Sequence, residues 1–180
     1  MKLNYKPEKG LLWQAPVVLI GLVAGAKMKI DVGAVPITLQ SLILCFTCLY
    51  FSRQANLLGT FLYMLAGMYL PVFSGEFFGK EFYFGRTAGY IYGFPFAVIL
   101  LTAARQYFKD WFGVFAWILM THAVIMIFGT AWGILYHKMD IDYALTNGFF
   151  NLLPGAIAKS VVVSLVYWLT RKYLKTETPA

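Results

Sequence analysis

Charge is the first thing this chain is short of. Only 13% of its 180 residues are charged, against roughly 25% in a soluble domain, while 60% are hydrophobic. That leaves too little polar surface for a soluble protein, so the chain reads as an integral membrane protein, with one domain enough for its length. Acidic residues are scarcest, 8 against 15 Lys and Arg, for a net charge of +7. A nucleic-acid partner is not the reading, because the basic residues fall mainly at the ends of apolar runs, where anionic lipid headgroups meet them. The only cysteines, Cys45 and Cys48, lie within one apolar segment. They exclude a disulfide framework and, lacking a second pair, a zinc site; packing is their reading. The two histidines are His122, inside an apolar run, and His137 at its end. No Ser, Cys or carboxylate pattern around them forms a nucleophile–base pair, so no enzyme is expected, and His122 reads as a hydrogen-bonded helix contact. Gly75-Glu76-Phe77-Phe78-Gly79-Lys80 is one residue short of a phosphate loop, and Glu81 stands where a magnesium-binding hydroxyl belongs. The chain itself hydrolyses no nucleotide. No small-residue cleavage site follows a short apolar stretch near Met1, so no removed signal peptide is expected.

What is present is long apolar runs. They predict an all-α fold of six transmembrane helices, over about 11–28, 37–52, 55–73, 87–104, 111–136 and 152–170, in a single domain, residues 1–180. With both termini on one side, that side holds Lys2, Lys6, Lys9, Arg53, Arg105, Lys109, Arg171, Lys172 and Lys175. The other holds Lys27, Lys29, Lys80, Arg86 and Lys138. The excess predicts cytoplasmic termini in a multi-pass, prokaryotic-type cell membrane protein. The outer loops carry Asp31, Glu76, Glu81, Asp140 and Asp142, and are longer than the inner ones. Long loops on one face suit capture of an external solute.

Polar residues inside such runs are the candidate site. Lys159 lies within the sixth run, four residues after Gly155. An ionisable residue there is costly and marks a functional site by default. No acidic residue lies in any of the six spans, so an anionic ligand, helped by the nearby helix N-terminus, is its natural partner. The stretch Gly85-Arg86-Thr87-Ala88-Gly89-Tyr90-Ile91-Tyr92-Gly93-Phe94-Pro95 combines glycines, an arginine and tyrosines at the mouth of the fourth run. It has two readings: a loop leading into a helix with Arg86 at the headgroups, or a ligand-facing edge. Arg86 and Lys159 would converge on one external ligand, with Gln40, Asn147 and Asn151 as polar partners and Tyr90, Tyr92 and Phe94 as walls. Gly21-x-x-x-Gly25 and Gly129-x-x-x-Gly133 permit close helix contact; either pair could pack internally, and Gly21 and Gly25 are the better candidates to meet a partner subunit.

Four motifs in order resemble the BioY family, the biotin-binding S components of energy-coupling factor (ECF) vitamin transporters. They are Val35-Pro36-Ile37-Thr38-Leu39-Gln40, Tyr63-Met64-Leu65-Ala66-Gly67 leading to Leu70-Pro71-Val72-Phe73, the Gly85–Phe94 stretch, and Leu153-Pro154-Gly155 followed by Lys159. The resemblance spans about residues 20 to 170. It implies a six-helix S-component fold with an outward-facing biotin pocket, and Arg86, Gly89, Tyr90 and Lys159 at the positions of its ligand contacts. It implies no cofactor in this chain: a transmembrane coupling subunit and two ATP-binding subunits are the partners, and ATP is used only by them. Solitary action, with the chain as a homo-oligomer, stays open. Two departures stand out. Ala88 replaces a frequent glycine, and Ala156 replaces an aspartate typical after Pro-Gly, so the specificity is either biotin held differently or another small vitamin.

Overall fold

The computed structural model describes residues 10–30 and 35–174, with side chains as far as Arg171. Lys2, Lys6, Lys9, Asp31 and Lys175 lie outside the described residues, as does the Lys172 side chain. The described chain forms α1 (Leu11–Lys27), a two-stranded antiparallel ribbon of β1 (Lys29–Ile30) and β2 (Ile37–Thr38), α2 (Gln40–Tyr50) and α3 (Arg53–Ala66). It continues with α4 (Gly79–Tyr83), α5 (Ala88–Tyr92), α6 (Phe94–Ala104), α7 (Trp111–Leu135), α8 (Ile141–Gly148) and α9 (Leu153–Leu174). The six apolar runs become α1, α2, α3, the α5–α6 pair, α7 and α9; α4 and α8 are short helices in the connections. Among the described residues, Ala88–Tyr107, Trp111–Leu135 and Ile141–Arg171 are long and apolar enough to cross a membrane, and Leu11–Lys27 and Gln40–Tyr50 are shorter apolar helices.

Three boundaries differ most from expectation. The second helix begins at Gln40 rather than 37, because Ile37 and Thr38 pair with Ile30 and Lys29. Pro36 biases the chain to extended structure there, and two β-branched residues follow. The Leu39 amide then donates to the carbonyls of Gly25 and Met28, tying the ribbon to the end of α1. The third helix stops at Ala66 instead of 73. The chain folds back after Gly67 so that the buried Phe73 ring lies against that glycine, where a side chain would overlap it. Phe73 stacks on Phe82 at 3.7 Å and meets Tyr63 edge-on at 5.2 Å. The last helix runs to Leu174, past the expected 170.

Caps fix other boundaries. Ser52 Oγ accepts from the Ala55 amide (3.1 Å) at the start of α3, and Asp110 Oδ1 from Gly113 (2.6 Å) at the start of α7. Pro154 sits in the first turn of α9, where its missing N–H costs nothing.

α1 packs on α2 and α3, while α7 packs on α5, α6, α8 and α9. Contacts of α6 with α2 and α3, and of α9 with α2, join the two groups round one interior. Leu22, Leu44, Val98, Leu101, Ile118 and Val163 fill it. The outer faces are apolar as well, with Leu12 (93% exposed) the extreme case, as suits a helix meeting lipid.

Gly21 and Gly25 lie close to α2 within the chain. A Cβ on Gly25 would lie 2.8 Å from Ile43 Cδ1 and 3.0 Å from the Gln40 amide nitrogen, and one on Gly21 would lie 2.9 Å from Ile43 Cγ2. Both glycines seat α2 against α1 inside the chain, which is the internal-packing reading of this pair.

Candidate ligand-binding site

A cavity of about 710 Å³, its open mouth included, lies between β2, α2, the Phe73 loop, α5, α7 and α9. Its apolar walls come from Ile37, Phe73, Phe82, Ile91, Phe94, Ile125 and Met126. Few polar groups interrupt them, chiefly Thr38, Gln40, Ser41, His122, Tyr90 and Lys159.

Lys159 enters from α9, half-buried, and its Nζ donates to Ser41 Oγ at 3.1 Å. Ser41 is its one hydrogen-bond partner among the described residues. An ammonium has three donors, so two remain for something else. Gln40 is buried beside Ser41 but already engaged: its Nε2 donates to Tyr63 Oη at 2.5 Å, and its Oε1 accepts from Thr38 Oγ1 at 2.9 Å. Its role is to hold the floor of α2 and the ribbon in register. Tyr90 presents its ring, since its hydroxyl donates to the Gly148 carbonyl at 2.8 Å. The ring fits because Gly129 and Gly148 leave room against it.

The other anticipated residues sort differently. Arg86 is exposed and lines an adjoining space of about 440 Å³ with Thr87, Tyr90, Thr130 and Asn147. Its turn is fixed by Trp132 Nε1 donating to the Gly85 carbonyl at 2.9 Å. Tyr90, Thr87 and Val35 line both spaces, so Arg86 stands at the rim of the main cavity rather than within it. Gly89 lines neither of these two spaces; it brings α5 onto α7, where a Cβ would lie 2.6 Å from the Phe128 carbonyl oxygen. Asn151 is exposed and donates to Asn147 Oδ1 at 3.3 Å, outside both spaces. Tyr92 faces the opposite side, with its hydroxyl on the Tyr83 carbonyl at 2.6 Å and its ring edge-on to Trp132. Tyr83 in turn donates to the Met64 carbonyl; burial, reinforced by the Tyr92 phenol, pushes its hydroxyl up to about 12, so it remains a donor at ordinary pH.

Ser41, Phe73, Phe82 and His122 are among the lining residues that were not anticipated as ligand-facing. His122 does make the expected helix contacts, with Nδ1 3.0 Å from the Ile118 carbonyl oxygen and 3.3 Å from Ser160 Oγ. It also lines the cavity, one turn of α7 from Ile125 and Met126. That shared face, at spacings of three and four, is the signal that marks it. Ala156 lines the cavity too, buried, one turn before Lys159.

Comparison with known proteins follows the same lines. The model of the BioY family matches residues 6–176. A protein described as biotin transporter BioY2, from Lactococcus lactis, is 26% identical over 140 residues, 77% of each chain. One described as biotin transporter BioY, from Thermotoga maritima, is 29% identical over 152 residues, covering 81% of this chain and 86% of its own. A probable biotin transporter BioY from Pyrococcus horikoshii is 29% identical over 143 residues, covering 79% and 84%. Among solved structures, the S-component for biotin from an ECF-type ABC transporter superposes with a TM-score of 0.77 over 91% of both chains, at 19% identity. The fold is therefore that of an S component.

Proposed function

The chain belongs to the BioY family, and from that premise we propose that it is the substrate-capture component of a biotin uptake transporter. The observation that carries the reading is Lys159: a half-buried cation with one neutral partner among the described residues, set in an apolar cavity between six segments of the chain. A vitamin with a carboxylate on an apolar body complements that combination. In this reading Lys159 meets the valerate carboxylate, Arg86 draws it in at the rim, and the fused rings lie against Tyr90, Phe94 and the neighbouring apolar walls. Gln40 braces α2 against the ribbon and Tyr63 rather than binding, and Gly89 sets the α5–α7 spacing on which Tyr90 depends.

The topology that goes with this function is six membrane spans, cytoplasmic termini in a prokaryotic cell membrane, and the cavity opening outward. Transport then needs a transmembrane coupling subunit and two ATP-binding subunits. Nothing covalent happens to the ligand; its passage is by alternating access.

The test is a thermal-shift titration of the detergent-purified protein with biotin, desthiobiotin and biotin amide. A ligand that binds only the folded state raises stability as RT ln(1 + [L]/Kd). We expect a shift with biotin that falls sharply for the amide. Buried Ala156, in the wall where the family pattern has an aspartate, favours a second reading in which the ligand is another small vitamin. Competition decides between them: a vitamin that displaces biotin, or shifts the protein when biotin does not, establishes the second.

A further inference from the structure

Of the described residues that line the cavity, only His122 has a buried side-chain polar atom with no hydrogen-bond partner. Only 3% of it is exposed, and its Nε2 is buried with no partner among the described residues. The opposite ring nitrogen is committed. Nδ1 lies 3.0 Å from the Ile118 carbonyl, which can only accept. Ser160 Oγ, 3.3 Å from the same nitrogen, gives its own proton to the Ala156 carbonyl at 2.8 Å. The carbonyl at 3.0 Å is much nearer than the only other possible proton source among the described residues, the weak thiol donor of Cys45 at 4.0 Å, so Nδ1 carries the hydrogen and Nε2 the bare lone pair.

Position adds to this. Lys159 meets α2 at Ser41, and His122 approaches it at Cys45, with Nδ1 4.0 Å from Cys45 Sγ. Four residues of helix place the His122 contact about 6 Å deeper along α2 than the Lys159 contact, counting from the ribbon. The cavity wall thus carries a cation part-way down and, about one turn of α2 deeper, a neutral imidazole. A carbonyl or carboxylate at the inner end of a ligand would set lone pair against lone pair there, whereas an N–H would complete the imidazole.

We propose that His122 Nε2 accepts a hydrogen bond from a ring N–H of the captured ligand, making His122 a specificity-determining residue. The inference rests on the biotin reading: the urea of biotin's fused rings carries N–H donors at the end remote from its carboxylate, matching an acceptor below a cation.

The test compares biotin with biotin methylated on both urea nitrogens, by calorimetric titration of the full-length protein in detergent. We expect the wild type to bind biotin at least about ten-fold more tightly than the methylated compound. His122→Leu should lose about ten-fold for biotin and bind the two compounds alike, and His122→Gln, which restores an acceptor, should recover most of the preference. An unchanged preference in His122→Leu overturns the inference and leaves the biotin reading standing. Absence of biotin binding to the wild type, shown to be folded, overturns that reading and the inference with it. A measurement that needs no substitution of His122 uses the 15N signal of its unprotonated ring nitrogen. With two histidines in the chain, His137→Gln assigns it. The signal should move when biotin is added and stay fixed with the methylated compound; a signal that stays fixed with both overturns the inference.

Discussion

Lys159 Nζ lies 3.1 Å from Ser41 Oγ, and among the described residues nothing else hydrogen-bonds to that ammonium. A serine hydroxyl orients a lysine without neutralising it. The pair therefore keeps a cation ready at the wall of an apolar space, which is the electrostatic state a carboxylate ligand requires.

Lys159→Ala should weaken biotin binding by about 1.5–3 kcal/mol, the usual worth of a hydrogen bond to a charged group. Biotin amide should lose much less. Titration of both ligands into wild type and variant checks this, and an equal loss for the two would take the carboxylate away from Lys159. Ser41→Ala, which removes only the orienting hydroxyl, should cost about 1 kcal/mol or less.

The site was legible in the sequence wherever a polar residue interrupted an apolar run. Lys159, Gln40 and Tyr90 stood out on that ground, and each borders the cavity. Gly89, Tyr92 and Asn151 are equally conspicuous in sequence, but facing is decided by helix rotation and by which neighbour takes the polar group. Tyr92 turns to the Tyr83 carbonyl and Asn151 to Asn147. His122 was read correctly as a helix contact, yet its second nitrogen depends on the depth at which α7 crosses α2 and α9, which no local pattern encodes. The early end of α3 has the same origin, because Phe73 is drawn back by Phe82 and Tyr63 from distant positions.

Arg86 is exposed at the rim, so its contribution should be small and sensitive to salt. Arg86→Gln should lower biotin affinity by about 1 kcal/mol or less. The deficit should shrink as ionic strength rises and the Debye length falls below about 10 Å. Titrations at low and high salt read both, and a large salt-independent loss would place Arg86 inside the site instead.

Ala156→Asp probes the departure from the family pattern. Position 156 precedes Lys159 by three residues, on the same helical face, and both line the cavity. A carboxylate there would pair with the ammonium. We expect higher thermal stability without ligand, weaker biotin binding, and loss of the preference for biotin over its amide. Stronger biotin binding with the preference intact would mean that the carboxylate serves the ligand directly and that Lys159 has another task.

Gly25→Ala separates the two uses proposed for a small residue on α1. If the glycine served a partner subunit, the isolated chain would tolerate the methyl. The packing says otherwise, since the added atom would lie 2.8 Å from Ile43 Cδ1 and 3.0 Å from the Gln40 amide nitrogen. Backbone must then move, and overpacking of this kind typically costs about 1–3 kcal/mol. The displaced segment is the first turn of α2, which carries Gln40 and Ser41 into the cavity. Gly25→Ala should therefore lower both the unfolding temperature and the biotin affinity of the purified chain, with no coupling subunit present. Wild-type values for both would return Gly25 to the outside of the protein.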